Sequence, residues 1–420
     1  MTGAPMLVSA AAILMLGAAA AAAPGQAEPP APAAAASAPL PFTLPQALAL
    51  AREHNPTILA ARLRQPVDLA AVAMAREYPN PEARYERARD TPRDSLGLTQ
   101  TIEIPDKRSW RIKAAEAAAL TGRAEIAQVE AEVAFDVRRA YYALAAAQRR
   151  SAAIAELLEL ARRARDAAEG RLEAGEVSQL DALQAQVILA QAENEATAQA
   201  GTTRGAVAEL NALLGRDPAE PTIVENEVDA GQPPELQSAL QTTESTNAAL
   251  AILDRQIEEA QARRELARAE RWPDPAVEAA LTHGAEPEFN WGYRFSLAVP
   301  LPLFTRHQAA VRAEEATLSL RRAERAAAVQ RARAAVVSAL ARAQAQHQRY
   351  LRFRDEILPK NRQVEEMAQE AYREGETPLT GLLQALQASR DLRAQALDAA
   401  SEYQSALADL EQAMTLGGKP

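Results

Sequence analysis

The sequence contains no cysteine, has few aromatic residues and carries no excess of basic charge. Without cysteine, the chain cannot form disulfides, use a thiol nucleophile, bind a metal through a thiolate or carry a lipid on an N-terminal cysteine. Aromatic residues make up only 4% of the 420 residues, which is too few for the bulky filling of a large globular core. The net charge of −10 argues against a nucleic-acid partner, because phosphate binding requires a surplus of Lys and Arg.

Catalytic and metal-binding patterns are also absent from the sequence. None of the four histidines has another histidine three or four residues away on a helix, as a metal site would require. We find no phosphate-binding glycine-rich loop and no nucleophile with a matching base. We therefore expect no enzyme activity, no cofactor and no metal bound at His54, His283, His307 or His347.

The N-terminus is apolar and rich in alanine. Residues 6–23 are almost wholly apolar, and small residues suited to signal-peptidase cleavage follow, so we interpret 1–27 as a signal peptide and 28–43 as an Ala/Pro-rich linker. Because no Lys or Arg precedes the apolar run, an uncleaved anchor or a misassigned start is the alternative. After residue 23, no apolar run reaches the roughly 20 residues that a membrane-spanning helix needs. Any membrane-spanning part would therefore consist of strands.

The chain contains an internal repeat of roughly 200 residues. The segment 175–185, which begins Gly-Glu-Val-Ser, aligns with 375–385, and Tyr78-Pro79-Asn80-Pro81 aligns with Trp272-Pro273-Asp274-Pro275. The polar, proline-bearing stretch between the copies is typical of a connector. The predicted organisation is a first repeat at 44–215, a connector at 216–243, a second repeat at 244–415 and a tail at 416–420.

Each repeat shows the same order of structural signals. A helix is followed by the aromatic-Pro-x-Pro breaker, two short strands, a very long helix, a glycine-centred turn and a returning helix. The long helices would measure roughly 100 Å at about 1.5 Å per residue, and Pro359 should kink the second one. The predicted strands are 82–90, 95–104, 276–284 and 291–299; the long helices are 106–174 and 305–374; the returning helices are 176–214 and 377–415. The fold class is mainly α with a small β part, built from duplicated antiparallel coiled-coil hairpins.

Large apolar side chains alternate with small or polar residues in the last predicted strand. A period of two places the large residues on one face of the strand. Such a face is either the inner side of an ordinary sheet or a lipid-facing belt. Four strands per chain are too few to close a barrel, so several chains would have to contribute, and three would supply twelve strands. The predicted belt consists of Trp291, Tyr293, Phe295, Leu297 and Val299.

Several short motifs, in this order and spacing, resemble the TolC-type outer-membrane efflux proteins. They are the segment 44–51 followed by Asn55-Pro56, the two aromatic-Pro-x-Pro corners, Ala140-Tyr141-Tyr142, the two glycine turns with their Leu-Gln-Ala tails, and the segment 210–215. Within that family, 101–108 and 299–304 look most similar to the heavy-metal branch, which works with cobalt, zinc, cadmium or copper pumps. The glycine that this branch usually has before Lys-Arg is Asp106 here.

The resemblance implies a homotrimer in the outer membrane of a Gram-negative bacterium, with a twelve-stranded β-barrel above an α-helical periplasmic tunnel. It also implies contact with outer-membrane lipid and two protein partners, a periplasmic adaptor and a proton-driven inner-membrane pump, and passive conduction of heavy-metal cations. The tips that meet the adaptor would include Gly175, Val177, Ser178, Asp181, Gly375, Thr377, Pro378 and Gly381.

The acidic constriction of well-known family members does not carry over to this chain. The two acidic positions that ring the periplasmic constriction in those members align with Gly381 and Gln384 of this chain. The nearest acidic residue is Asp181, in the other repeat. These three residues are the constriction candidates.

Two other classes of protein remain as alternatives at this point. One is an adaptor-like protein, although the β-rich lipoyl and barrel modules of adaptors are not found. The other is a soluble periplasmic coiled-coil scaffold, which would have no use for the alternating strand at 291–299.

Overall fold

The computed structural model describes residues 41–104, 106–175, 178–225, 231–374, 376–377 and 379–416. The predicted signal peptide lies outside these ranges, as does the predicted linker except for its last three residues. The described part is mainly helical and contains one small antiparallel sheet. Within it, no helix combines the length and the apolar character needed to cross a bilayer.

The described residues of the first repeat form five helices and two strands. Where the sequence predicts one helix before the first breaker, the structure has three short ones, because Asn55-Pro56 and the corner at Leu63 interrupt it. The returning helix begins three residues later than predicted, since Ser178 caps it. The elements are α1 (Leu44–His54), α2 (Pro56–Arg62), α3 (Arg64–Arg76), β1 (Glu82–Arg87), β2 (Asp94–Thr101), α4 (Lys107–Glu173) and α5 (Gln179–Leu214).

The second repeat follows the same order with different breaks. Its first helix begins at Leu236, inside the segment predicted as connector, so the prediction of a connector as far as residue 243 is wrong for its last part. The elements are α6 (Leu236–Thr246), α7 (Ala248–Ala269), β3 (Ala276–Ala285), β4 (Phe289–Ala298), α8 (Gln308–Arg352), a π-helical turn (Phe353–Ile357), α9 (Leu358–Arg373) and α10 (Leu379–Thr415).

The long helix of the second repeat is not continuous α-helix. The sequence predicts one helix over 305–374 with a kink at Pro359, whereas the structure has a π-helical turn directly before that proline. Proline has no N–H to donate and its ring crowds the preceding turn, so the hydrogen-bonding pattern changes there. The corresponding helix of the first repeat, α4, runs without a break for 67 residues.

The four strands form one antiparallel sheet in the order β1-β2-β3-β4. Glu82 lies opposite Thr99, Thr101 opposite Ala276, and Ala276 also opposite Ala298. Among the described residues, no strand lies beside the outer edge of β1 or of β4. Strand direction alternates across it, so β1 and β4 run in opposite directions.

The helices next to the sheet follow the same lateral order as the strands. Helix α3 packs on α4, α4 on α7 and α7 on α8. Each of these helices is joined in sequence to the strand of the same rank, since α3 leads into β1, α4 follows β2, α7 leads into β3 and α8 follows β4. The chain therefore has two lateral sides, one formed by α3 and β1 and the other by α8 and β4.

Each repeat has its own small core at the same place in the fold. In the first, residues of α1, α4 and α5 such as Ala47, Leu144 and Leu210 are fully buried together. In the second, residues of α6, α8 and α10 such as Ala239 and Val336 form the equivalent cluster. The duplication seen in the sequence is thus also a duplication of packing.

Candidate functional site

The alternating strand at 291–299 presents its large side chains on an exposed face. Tyr293 is 79% exposed, Phe295 72% and Leu297 67%. Trp291, in the same strand, and Val299, directly after it, are also exposed. These side chains are not the inner side of a packed core, which was the alternative left open by the sequence pattern. An exposed apolar face of this kind marks an interaction surface.

The apolar face continues across the whole sheet. Residues directly opposite in a ladder share a face, and Tyr293 lies opposite Leu281, which lies opposite Leu96, which lies opposite Tyr85. The next row is Phe295, Ala279, Leu98 and Ala83. Tyr85, Leu96, Leu98 and Leu281 are all more than half exposed. We call this surface the apolar sheet face.

Aromatic and polar groups border the apolar sheet face at its turn end. The rings of His283 and Trp291 lie 4.5 Å apart. The hydroxyl of Tyr85 donates a hydrogen bond of 2.7 Å to Asp94, and Arg87 lies 3.7 Å from the same carboxylate. Amphipathic rings beside charged groups are typical of the border between an apolar and an aqueous environment.

The opposite face of the sheet is polar. The Ser296 hydroxyl donates to Glu278 at 2.8 Å, and Arg294 forms an ion pair with the same carboxylate at 3.5 Å. Glu82, Arg84 and Glu86 share this face. The sheet therefore separates an apolar side from a charged one.

The glycine turn of the first repeat is built by backbone geometry and a helix cap. Gly175 has φ of +75°, a left-handed conformation that favours glycine. Ser178 accepts a hydrogen bond from the N–H of Asp181, and the Asp181 carboxylate accepts from the N–H and hydroxyl of Ser178 at 3.1 and 2.7 Å. The carboxylate of Asp181 is thus used in a capping box at the start of α5.

The corresponding turn of the second repeat is only partly described. Gly375 and Pro378 lie outside the described residues, as does Val177 of the first turn. The backbone N–H groups of Glu376 and Thr377 both donate to the carbonyl of Ala371. Gly381 is half-buried and Gln384 is exposed. The sequence places Pro378 and Gly381 where the first repeat has Ser178 and Asp181, so the same capping box cannot form.

The candidate residues that the structure describes form no metal centre. Within the described ranges, no group of three or more His, Asp or Glu side chains is arranged to hold a metal ion. The constriction candidates lie at two different places in the chain. Asp181 is at the start of α5, and Gly381 and Gln384 are both at the start of α10.

Sequence reasoning missed the role of Asn247. In the sequence Asn55 stands out only as part of a motif. In the structure its side chain accepts hydrogen bonds from the start of α2 and donates one of 2.7 Å to the carbonyl of Leu213 at the end of α5. Asn247 accepts from Leu250 and donates to the carbonyl of Met414 at the end of α10. The Asn at the same place in both repeats was the available signal.

Comparison with known proteins agrees with this architecture. The model of the outer membrane efflux protein family matches residues 47–216 and 239–416, which correspond closely to the two repeats. The cobalt-zinc-cadmium resistance protein CzcC of Cupriavidus metallidurans is 30% identical over 273 residues, which cover 63% of this chain and 64% of CzcC. The match thus spans slightly less than two thirds of that relative.

Solved structures share the fold at low sequence identity. A membrane protein from Pseudomonas aeruginosa superposes with a TM-score of 0.71 at 19% identity, covering 88% of this chain and 93% of that one. CusC, described in connection with transmembrane channel formation, also gives 0.71, at 16% identity over 89% of this chain and 92% of CusC. With most of both repeats matched by the family model and the same fold in these structures, the chain belongs to the outer membrane efflux protein family.

Proposed function

We propose that this chain is the outer-membrane channel subunit of a tripartite efflux system and passes solute passively from the periplasm to the exterior. The observation that carries the proposal is the sheet, which has an exposed apolar face on one side and charged residues on the other. A wall with lipid on one side and water on the other requires this division. The soluble scaffold and adaptor alternatives give no reason for it.

The unpaired edges of β1 and β4 support assembly of several chains. Exposed strand edges tend to pair with another chain, and the opposite directions of β1 and β4 allow antiparallel pairing between copies. Four strands are too few for a barrel, whereas three chains would close one of twelve strands. The proposed state is a homotrimer in the outer membrane, with the belt from Trp291 to Val299 facing lipid.

The helices give the proposed channel its periplasmic part. Helix α4, with 67 residues, measures about 100 Å, and the glycine turn lies at the end of α4 that is remote from the sheet. Such a tunnel has no energy source of its own, so the driving force would come from an inner-membrane pump coupled through a periplasmic adaptor. The tips around Gly175 and Gly375 are the proposed contact with the adaptor.

Heavy-metal cations are the proposed substrate class. The similarity to the resistance protein CzcC supports this choice. The polar sheet face supports it too, because its acidic residues Glu82, Glu86 and Glu278 outnumber its basic residues Arg84 and Arg294. The proposed candidates for the narrowest point are Asp181, Gly381 and Gln384. Of these only Asp181 is acidic, and its carboxylate also caps α5.

Two measurements on one strain test the proposal. A Gram-negative strain that lacks its own metal-efflux channel but keeps pump and adaptor should regain resistance to cobalt, zinc or cadmium when this chain is expressed. The protein should remain in the outer-membrane fraction after a carbonate wash. Protein that washes off, or a strain that stays sensitive although the trimer is present in the outer membrane, would contradict the proposed function.

The tips are tested separately by bulky substitutions at Val177, Ser178, Thr377 and Gly381. If the tips dock the adaptor, resistance should fall while the amount of trimer in the outer membrane stays unchanged. Resistance that survives all four changes, or that falls only together with the trimer, would mean that the turns merely reverse the chain.

A further inference from the structure

The side of α3 that faces away from α4 is apolar and uncovered. Leu63, directly before α3, is 71% exposed, and Val67 and Met74 are each 66% exposed. With Ala70 they form a row at spacings of four, three and four residues, which places them on one helix face. Val72 and Ala75 lie on the other face and are buried. We call the exposed row the α3 outer face.

A second uncovered apolar row lies on α8, at the opposite lateral side of the chain. Leu320 is 55% exposed, and Ala316, Ala323 and Ala327 are also exposed. These four residues have the same spacings of four, three and four. Leu318, on the other side of the helix, is buried. We call this row the α8 outer face.

Polar contacts across the helical layer fix the relative height of the two faces. Arg64 of α3 lies 2.5 Å from Glu125 of α4. Thr121, one turn before Glu125, bonds to Glu259 of α7 at 2.9 Å. About one turn before Glu259, Asp254 pairs with Arg325 of α8. Arg64 and Arg325 therefore lie at nearly the same level, and so do the rows that contain Leu63 and Ala327.

The sheet edges indicate which molecule covers these faces. Helix α3 leads into β1 and α8 follows β4, the two strands with an unpaired edge. A second copy that pairs its β4 with β1 would bring its α8 beside α3. The two helices would run antiparallel, because α3 runs toward the sheet and α8 away from it. The uncovered helix faces are thus continuous with the strand edges.

We infer that the α3 outer face packs into the α8 outer face of a second copy of this chain. The two rows have the same spacing, lie at the same height and run antiparallel. The resulting pairs are Met74 with Ala316, Ala70 with Leu320, Val67 with Ala323 and Leu63 with Ala327. In every pair a large side chain meets an alanine, as close packing between helices requires. This inference rests on the trimer of the proposed function and names the residues that form the helical contact between its subunits.

Engineered cysteines test the pairing directly, since the chain has none of its own. The full-length double variant Val67→Cys/Ala323→Cys should form disulfide-linked oligomers under mild oxidation in outer membranes. The control Val67→Cys/Ala316→Cys moves one cysteine by seven residues, about 10 Å along the helix, which is beyond disulfide reach. It should give only background cross-linking.

A size exchange provides a second measurement that does not depend on oxidation. Ala323→Leu alone should reduce the trimer resistant to mild detergent, because the extra volume meets Val67. Adding Val67→Ala should restore it. Restoration supports the pairing, whereas an equal loss in both variants overturns it.

The two proposals fail in different ways. If the unmodified chain gives a trimer by mass measurement but neither Val67→Cys/Ala323→Cys nor Leu63→Cys/Ala327→Cys cross-links, this interface is wrong and the channel stands. If the chain is a monomer, both fail. Cross-links to a different protein in place of a second copy also overturn the inference.

Discussion

Asn55 in the first repeat and Asn247 in the second hold equivalent corners of the fold by the same hydrogen bonds. Each caps the helix that follows it and donates to a carbonyl at the end of the returning helix. Farther from the sheet the repeats differ, since α4 is continuous while the matching helix is broken by a π-helical turn, and the Ser-Asp pair that forms the capping box of the first tip is replaced in the sequence of the second by Pro378 and Gly381. The two repeats are thus alike in the middle of the molecule and differ at the end that is remote from the sheet.

This contrast indicates where the two repeats have the same task and where they have different ones. Both repeats must supply strands to one sheet and helices to one layer, so their geometry near the sheet is constrained alike. At the tips, a turn with Ser178 and Asp181 and a turn with Pro378 and Gly381 at the same places offer different side chains to a partner. Changes on the sheet and at the asparagine corners can therefore test the likeness, and changes at the tips can test the difference.

The largest effect is expected on the apolar sheet face, to which both repeats contribute. Phe295→Arg in the second repeat and Leu98→Arg in the first should each cost about 2 to 4 kcal/mol if they lie near the bilayer midplane. Folding into lipid vesicles, followed by denaturant titration, measures this. Ser296→Arg on the polar face is the matched control and should cost much less. Equal tolerance of Phe295→Arg and Ser296→Arg would refute the assignment of faces.

Both asparagines should stabilise the fold in the same way, but the loss of stability on substitution should differ in size between them. Asn55→Ala removes a helix cap and leaves the carbonyl of Leu213 without its 2.7 Å donor, which should cost about 2 to 3 kcal/mol. Asn247→Ala should cost somewhat less, because its bond to Met414 is 3.3 Å. Thermal unfolding of both variants measures the difference. No loss in Asn247→Ala would show that the corners are not equivalent.

Removing the capping box at the first tip and installing one at the second should have opposite effects on the two turns. Ser178→Ala removes the capping box of α5 and should destabilise that turn by about 1 kcal/mol. The double change Pro378→Ser/Gly381→Asp would install the box at α10 and should stabilise the second turn by a similar amount. Hydrogen exchange of the two turns measures both effects. A second tip that is no more protected after the change would argue that its turn is shaped by more than its first residues.

Much of the fold could be predicted from the sequence because periodicity reports local structure directly. The uninterrupted pattern after residue 106 gave α4 to within one residue at each end, and the alternation at 291–299 gave most of β4. The π-helical turn and the start of α6 depend on which backbone hydrogen bonds form. No periodic pattern in the sequence indicates these features. The lateral faces of α3 and α8 could not be found either, since their importance depends on which helices become neighbours.

The smallest effect is expected where the two long helices begin. Asp106 and His307 hold equivalent positions, and both have φ of +50°, a left-handed conformation that disfavours side chains. Aspartate tolerates it because its short polar side chain can hydrogen-bond locally, which the longer imidazole does less readily, so Asp106→Gly should change the free energy of unfolding by less than about 0.5 kcal/mol. His307→Gly should stabilise the protein by about 0.5 to 1 kcal/mol. Chemical denaturation of the two single variants measures this difference, with His307→Ala as a control that should not stabilise the protein. Stabilisation by His307→Ala would mean that the imidazole itself, and not the backbone conformation, is unfavourable at the start of α8.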